Sequence, residues 1–177
     1  MKKIIAILVA MSQLAFANQN FEYAVTKLIK FEGGNKIDKN IKNAYSKFGI
    51  TKYTLNRYDK SLNLYDLTES QAKNIIYKLY WEEYDLDMFT DKRNAMLVLD
   101  FIYNSNSDNA VKIIQKSLGN KVYKKLTIQD IAEINYMGYK SFYKIYSKSR
   151  LDYMKSLKNY NKFKTGWNIR VEELGGL

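Results

Sequence analysis

Eleven consecutive residues, Arg93 to Tyr103, are apolar around nearly the whole circumference of the helix they would form. A helix of that kind is buried on every side, so other helices must surround it. The rest of the chain supplies them. Phe21, Ala24, Val25 and Leu28 recur at helical spacing and predict an amphipathic helix over 20–32, which Gly33 and Gly34 then stop. Thr51 is placed to cap a short helix through Tyr58. Thr68-Glu69-Ser70-Gln71 fits a capping box ahead of Ala72, Ile75, Ile76, Leu79 and Tyr80. Asn104-Ser105-Asn106-Ser107 breaks the buried helix, and a helix over 108–118 ends at Gly119. Thr127 caps a helix over 128–135, a long one spans 139–158, and a last one follows Trp167. Residues 35–50 are polar and irregular, with room for a small hairpin. The expected fold class is therefore all-α, with short links and no internal repeat.

The chain has 177 residues, which fits one domain or one domain with a small extension. It contains no His and no Cys. A Ser-His-Asp or Cys-His arrangement cannot be built, and a zinc site would need carboxylates alone. No Gly-rich phosphate loop is present. Glycoside hydrolysis needs only Asp and Glu, and remains open. No cofactor or metal is expected.

The first seventeen residues differ from the rest. Lys2 and Lys3 precede an apolar run from Ile4 to Ala10, and Ala15-Phe16-Ala17 closes the segment. A basic start, a short apolar stretch and an A-x-A signature predict a signal peptide over 1–17, with a periplasmic or secreted chain beginning near Asn18. The run is shorter than the ~20 residues a spanning helix needs, so no stable membrane insertion is expected after cleavage. The formal charge is +11. An exported chain of that charge meets polyanions of the cell wall, and nucleic acid is not the expected partner. Sixteen Tyr and eight Phe exceed the needs of the core, which leaves aromatic faces to stack on sugar rings.

Glu32 ends the first predicted helix, and two glycines turn the chain immediately after it. Nineteen positions beyond Glu32, Thr51 closes the run Phe48-Gly49-Ile50-Thr51. These residues resemble glycoside hydrolase family 108, the lysozyme-type N-acetylmuramidases of bacteria and their phages. The resemblance rests on Glu32-Gly33-Gly34, Asp38 and Gly49-Ile50-Thr51. It continues through Tyr80-Trp81, Leu99-Asp100-Phe101 with Asn104, and Ala110-Val111 through Gln115 to Leu118-Gly119. It closes with Gly166-Trp167 and Arg170-Val171, which resemble a C-terminal region described as peptidoglycan-binding. Where the family usually has Asp-Pro-Gly-Gly, this chain has Ile41-Lys42-Asn43-Ala44.

The resemblance implies a lysozyme-like fold with a catalytic lobe over 18–105 and a helical C-terminal lobe over 106–177. It implies a muramidase that cleaves the β-1,4 bond between N-acetylmuramic acid and N-acetylglucosamine, acting as a monomer. Glu32 is the expected general acid, with Phe31 and nearby Tyr side chains to desolvate it. Asp38 could orient a water or stabilise oxocarbenium charge, or be a solvated loop residue. Thr51 could hold the attacking water, or serve only as a helix cap. Tyr80, Trp81, Asn104, Trp167 and Arg170 are the expected substrate-binding residues. The tryptophans fit the core as well, Asn104 fits a helix end, and Arg170 could pair with Glu172 or Glu173. A secretion apparatus or an immunity protein are further partners to consider. Two other functions share these features: a lytic transglycosylase acting on the same bond, and a non-catalytic cationic wall-binding protein.

Overall fold

A computed structural model of the chain describes residues 19–34 and 45–177. The expected signal segment, Asp38 and the divergent stretch 41–44 lie outside the described residues. The chain forms two units, Met1–Glu83 and Tyr84–Leu177, where the sequence reading sets the lobe boundary at 105. The described residues are mainly helical, with two short strands.

In the first unit, helix α1 is described over 19–31. It buries Phe21, Ala24, Val25 and Leu28, the expected i, i+3, i+4, i+7 stripe, and Ile29 beside them. The strands β1 (Ser46–Lys47) and β2 (Ile50–Thr51) pair antiparallel, with Ser46 opposite Thr51 and Lys47 opposite Ile50. Helix α2 (Lys52–Tyr58) follows directly. Helix α3 (Glu69–Ile76) opens on the expected capping box: Thr68 Oγ1 accepts from Gln71 N at 3.2 Å, and Gln71 Oε1 accepts from Thr68 N at 2.9 Å. It runs on into a wider π turn, Tyr77–Trp81. Phe21 of α1 meets Tyr77 and Trp81 edge-on, with ring centroids 5.0 and 5.3 Å away. An ion pair between Glu22 and Lys73 at 2.9 Å joins the same two segments at the surface.

The second unit is built on helix α4 (Lys92–Asn104), whose residues from Asn94 through Ile102 are all buried. This is the surrounded helix that the apolar run predicts. Helix α5 (Ser107–Ser117) starts on an Asn106 cap. Helix α6 (Ile128–Lys155) packs against α4, α5 and α7 (Tyr160–Gly175). Gly138 interrupts α6 with φ 72° and ψ 168°, which only glycine adopts readily, so the two helices expected there do form, joined at a kink. The loop before α6 is tied down by buried side chains. Gln115 Nε2 donates to Asp130 Oδ2 at 2.8 Å and to the Lys125 carbonyl at 3.0 Å, and its own carbonyl accepts from Tyr123 N at 2.8 Å.

Helix α7 departs from expectation by starting at Tyr160, seven residues before Trp167. The N-cap residue, Asn159, makes no side-chain cap bond, and Gly166 lies inside the helix without ending it. No described helix is long and apolar enough to cross a membrane.

Candidate active site

Glu32 is positioned by the main chain. Its N–H closes the last helical bond of α1, onto the Leu28 carbonyl at 3.0 Å. The N–H of Gly33 then donates to Lys30 O at 3.2 Å and that of Gly34 to Ile29 O at 2.9 Å. This is a Schellman ending, with Glu32 as the last residue before the left-handed step. Gly33 takes φ 84° and Gly34 φ 64°, and neither has an atom within 4 Å of where a Cβ would sit. Backbone conformation, then, rather than crowding, is what these positions require of glycine. The Glu32 side chain leaves a half-buried position at the turn.

The turn is fastened to the hairpin. The Gly34 carbonyl accepts from Phe48 N at 3.0 Å. Phe48 and Gly49 form the two-residue loop between β1 and β2, both with positive φ (55° and 76°), the form that matches strand twist. A buried Phe in that conformation is uncommon and holds only where its surroundings enforce it. Lys47 Nζ donates to the Tyr65 carbonyl at 2.7 Å and anchors the hairpin from its other side. The effect is to fix Ile50 and Thr51 relative to the Glu32 turn through a short run of main chain.

Thr51 caps α2. Its Oγ1 accepts from Thr54 N at 3.2 Å and lies 3.1 Å from Thr54 Oγ1. A hydroxyl has one donor and two acceptor positions, so the cap leaves capacity for a water. Tyr80 is half-buried in the π turn. Trp81 is a correction to the sequence reading: it is fully buried, packed on Phe21, and offers no face to a sugar.

The other expected residues gather in the second unit around Asp100. Arg170 donates from Nε and Nη2 to Asp100 Oδ1, at 2.9 and 2.6 Å. The guanidinium is thus engaged with a carboxylate 70 residues away, a contact the sequence does not announce. Asn104 donates from Nδ2 to the Asp100 carbonyl at 3.0 Å. Arg150, which the sequence reading passed over, lies 2.6 Å from Asp100 Oδ2, and both side chains are fully buried. Burial works against the charge on Asp100, but Arg150 and Arg170 outweigh it and hold its carboxyl below the ordinary value of 3.8. Burial pushes the neighbouring Tyr146 phenol up.

Asn104, Arg150, Tyr153, Trp167 and Arg170 all line one cavity of about 240 Å³. Three of the expected substrate residues thus do come together. A signal for Arg150 was available: the chain has only four Arg among 29 basic residues, and three of them, Arg93, Arg150 and Arg170, make ion pairs with Asp. Among the described residues no cluster of three or more acidic side chains could hold a metal ion.

A half-buried Glu at a helix end beside a hydroxyl-bearing hairpin is compatible with glycoside hydrolysis, which needs only carboxylic side chains. Comparison with known proteins gives the same class. The family described as Glycosyl hydrolase 108 matches residues 25–105. The solved structure of Brucella abortus SagA shares the fold, with a TM-score of 0.78 at 23% identity, covering 90% of this chain and 93% of that one. Comparison with curated proteins finds no match.

Proposed function

We propose that the chain is an exported peptidoglycan hydrolase of the muramidase type, with Glu32 as its general acid. What supports this most is the placement of Glu32 at the Schellman turn, inside the segment that matches the family. In this reading Glu32 gives its proton to the glycosidic oxygen as the bond from the anomeric carbon to that oxygen breaks. A water adds to the anomeric carbon and loses its proton to a base, leaving a reducing N-acetylmuramic acid end. Thr51, with a lone pair beyond its cap bond, orients that water. Asp38 is the nearest second carboxylate in sequence and the base this reading assigns.

Export through residues 1–17 brings the enzyme to its substrate, and the +11 charge favours retention on an anionic wall. The C-terminal helices hold the glycan strand in this reading. The test is mass spectrometry of the soluble products from purified peptidoglycan, for wild type and Glu32→Gln. Reducing N-acetylmuramic acid ends from wild type and none from the variant are expected. Anhydro ends would replace hydrolysis by transglycosylation, and no fragments from either protein would leave a wall-binding role.

A further inference from the structure

The front half of α7 stands clear of the other helices of its unit. Every residue from Asn161 to Gly166 is exposed, and the helix buries only Val171 and Leu174, in its last turns. Asn159 makes no cap bond there, and Asn161, Thr165 and Gly166 are poor helix formers. A short helix with neither cap bond nor cover is marginal by itself. A surface laid against it supplies what packing does not.

What this stretch carries is aromatic and basic. Tyr160, Phe163 and Trp167 fall at helical spacing on one side of α7, with the Trp167 ring 6.3 Å from Tyr160 and 5.7 Å from Phe163. Phe163 is 40% exposed, more than a packed ring would be. Lys158, Lys162 and Lys164 are exposed beside the rings, and none of them enters an ion pair with a described residue. No Asp or Glu occurs between Asp152 and Glu172, and Asp152 is paired with Lys155 at 3.4 Å. The surface is cationic with an apolar centre. Its complement has negative charge above an apolar phase, which describes an anionic bilayer. A soluble polyanion matches the lysines but leaves Phe163 in water. A glycan strand needs open ring faces, and here Lys162 Nζ lies over Phe163 at 5.1 Å while the rings turn 39° and 32° from Trp167.

We propose that residues 158–164, at the start of α7, dock on the surface of an anionic lipid bilayer, with the lysines on headgroups and Tyr160 and Phe163 at the interface. The contact is peripheral, since no described helix is long and apolar enough to cross. Gly166 and Trp167, which line the cavity, begin just past the docking face. The proposal rests on the charge and exposure of α7, not on the hydrolase reading.

The experiment is co-sedimentation of the full chain with vesicles at low and high salt, with Trp fluorescence alongside. Vesicles of phosphatidylglycerol and phosphatidylcholine in equal parts are compared with phosphatidylcholine alone. Trp81 is fully buried, so a blue shift on binding reports Trp167. Tighter binding to the anionic vesicles, weakened by salt and accompanied by that shift, is expected. Lys162→Gln with Lys164→Gln removes two charges and should weaken binding about 25-fold, at roughly fivefold per basic residue near an anionic leaflet. Phe163→Gln leaves the charge alone and should shrink the shift. Lys112→Gln with Lys116→Gln takes the same charge from exposed positions on α5 and should leave binding in place. Residues 1–17 are common to every variant, and cooperative melting checks each fold. Equal binding to both vesicles, no binding to either, or equal loss from the α5 and α7 pairs would overturn the proposal. So would an undiminished shift in Phe163→Gln, which assigns the face to polyanions by charge alone. Retention on purified peptidoglycan that the α7 pair loses, with vesicles unbound, would give the face to the wall and overturn it too. Vesicles contain no glycan, so the result stands apart from whether Glu32 is the acid.

Discussion

Glu32 and Asp100 are carboxylates, one in each unit, and they are held in opposite ways. Glu32 is set by main-chain bonds from Glu32, Gly33 and Gly34 back into α1, and by the bond from Phe48 to Gly34. None of these involves its own carboxyl. Asp100 is set through its charge, by two guanidiniums drawn from α6 and α7. The difference teaches how each carboxylate is placed. The backbone of Glu32 is fixed at the turn by main-chain bonds. The place of Asp100 depends on its ionisation, because two guanidiniums hold it through charge. The same logic says how each responds to substitution.

The sharpest break of the comparison is therefore Glu32→Gln. Loss of a general acid costs about 10²–10⁴ in rate. Turnover of peptidoglycan should fall by that much, while the melting temperature stays where it is. A variant that lost stability along with activity would show that the Glu32 carboxyl is structural after all, and the contrast with Asp100 would fail.

Asp100→Asn should do the reverse. Removing the anion leaves the fully buried Arg150 without its counter-charge, and breaking a buried pair by deleting one partner costs about 3–5 kcal/mol. Denaturant unfolding should report that loss in the second unit. The dependence on pH has a definite sign. The folded-state value of Asp100 lies below its unfolded value of 3.8. Its pairing thus contributes fully above pH 3.8 and is lost as pH falls through the lower folded value. Asp130 adds to the same trend, since burial opposes its charge but hydrogen bonds from Thr127, Gln115 and Asn120 hold it low. Melting temperatures measured downward from pH 5 should drop for wild type and drop less steeply for Asp100→Asn. Parallel slopes would remove Asp100 from the acid sensitivity.

The contrast also accounts for what the sequence shows. The Glu32 turn is legible because all its determinants are local: an apolar stripe, a carboxylate, two glycines. The same holds for the caps at Thr68 and Thr127, the Gly138 break, and the buried α4. The Asp100 cluster joins residues 50 and 70 positions apart. No window of the chain contains it, so Arg170 read as a substrate residue or a partner of Glu172 or Glu173, and Arg150 was not singled out. Trp81 misleads for a related reason. Its burial follows from Phe21, sixty residues earlier, and an aromatic beside Tyr80 gives no local sign of which face is covered. Helix α7 starts without a side-chain cap bond, and its start was not read.

Gly33→Ala tests whether the main chain truly places Glu32. At φ 84° a Cβ costs roughly 1–2 kcal/mol, and nothing nearby blocks it, so the effect is purely conformational. The protein should still fold, and kcat should fall more than stability explains, because the Schellman bonds relax. Retained kcat with lowered stability would mean that the hairpin alone suffices to position the acid.

Thr51 is the smallest and most discriminating case, since it stands on the boundary between the two modes. Its hydroxyl caps α2, a structural duty worth about 1 kcal/mol. The same hydroxyl is the one the proposed mechanism uses to orient water. Thr51→Ser keeps both and should be close to wild type in stability and turnover. Thr51→Val keeps the shape and loses both, so it should destabilise by about 1 kcal/mol. If the hydroxyl only caps, correcting for the folded fraction restores wild-type turnover in the Val variant. If it also orients water, a deficit in kcat persists after that correction, with KM little changed, and the local main chain that builds the site would then supply one of its working side chains as well.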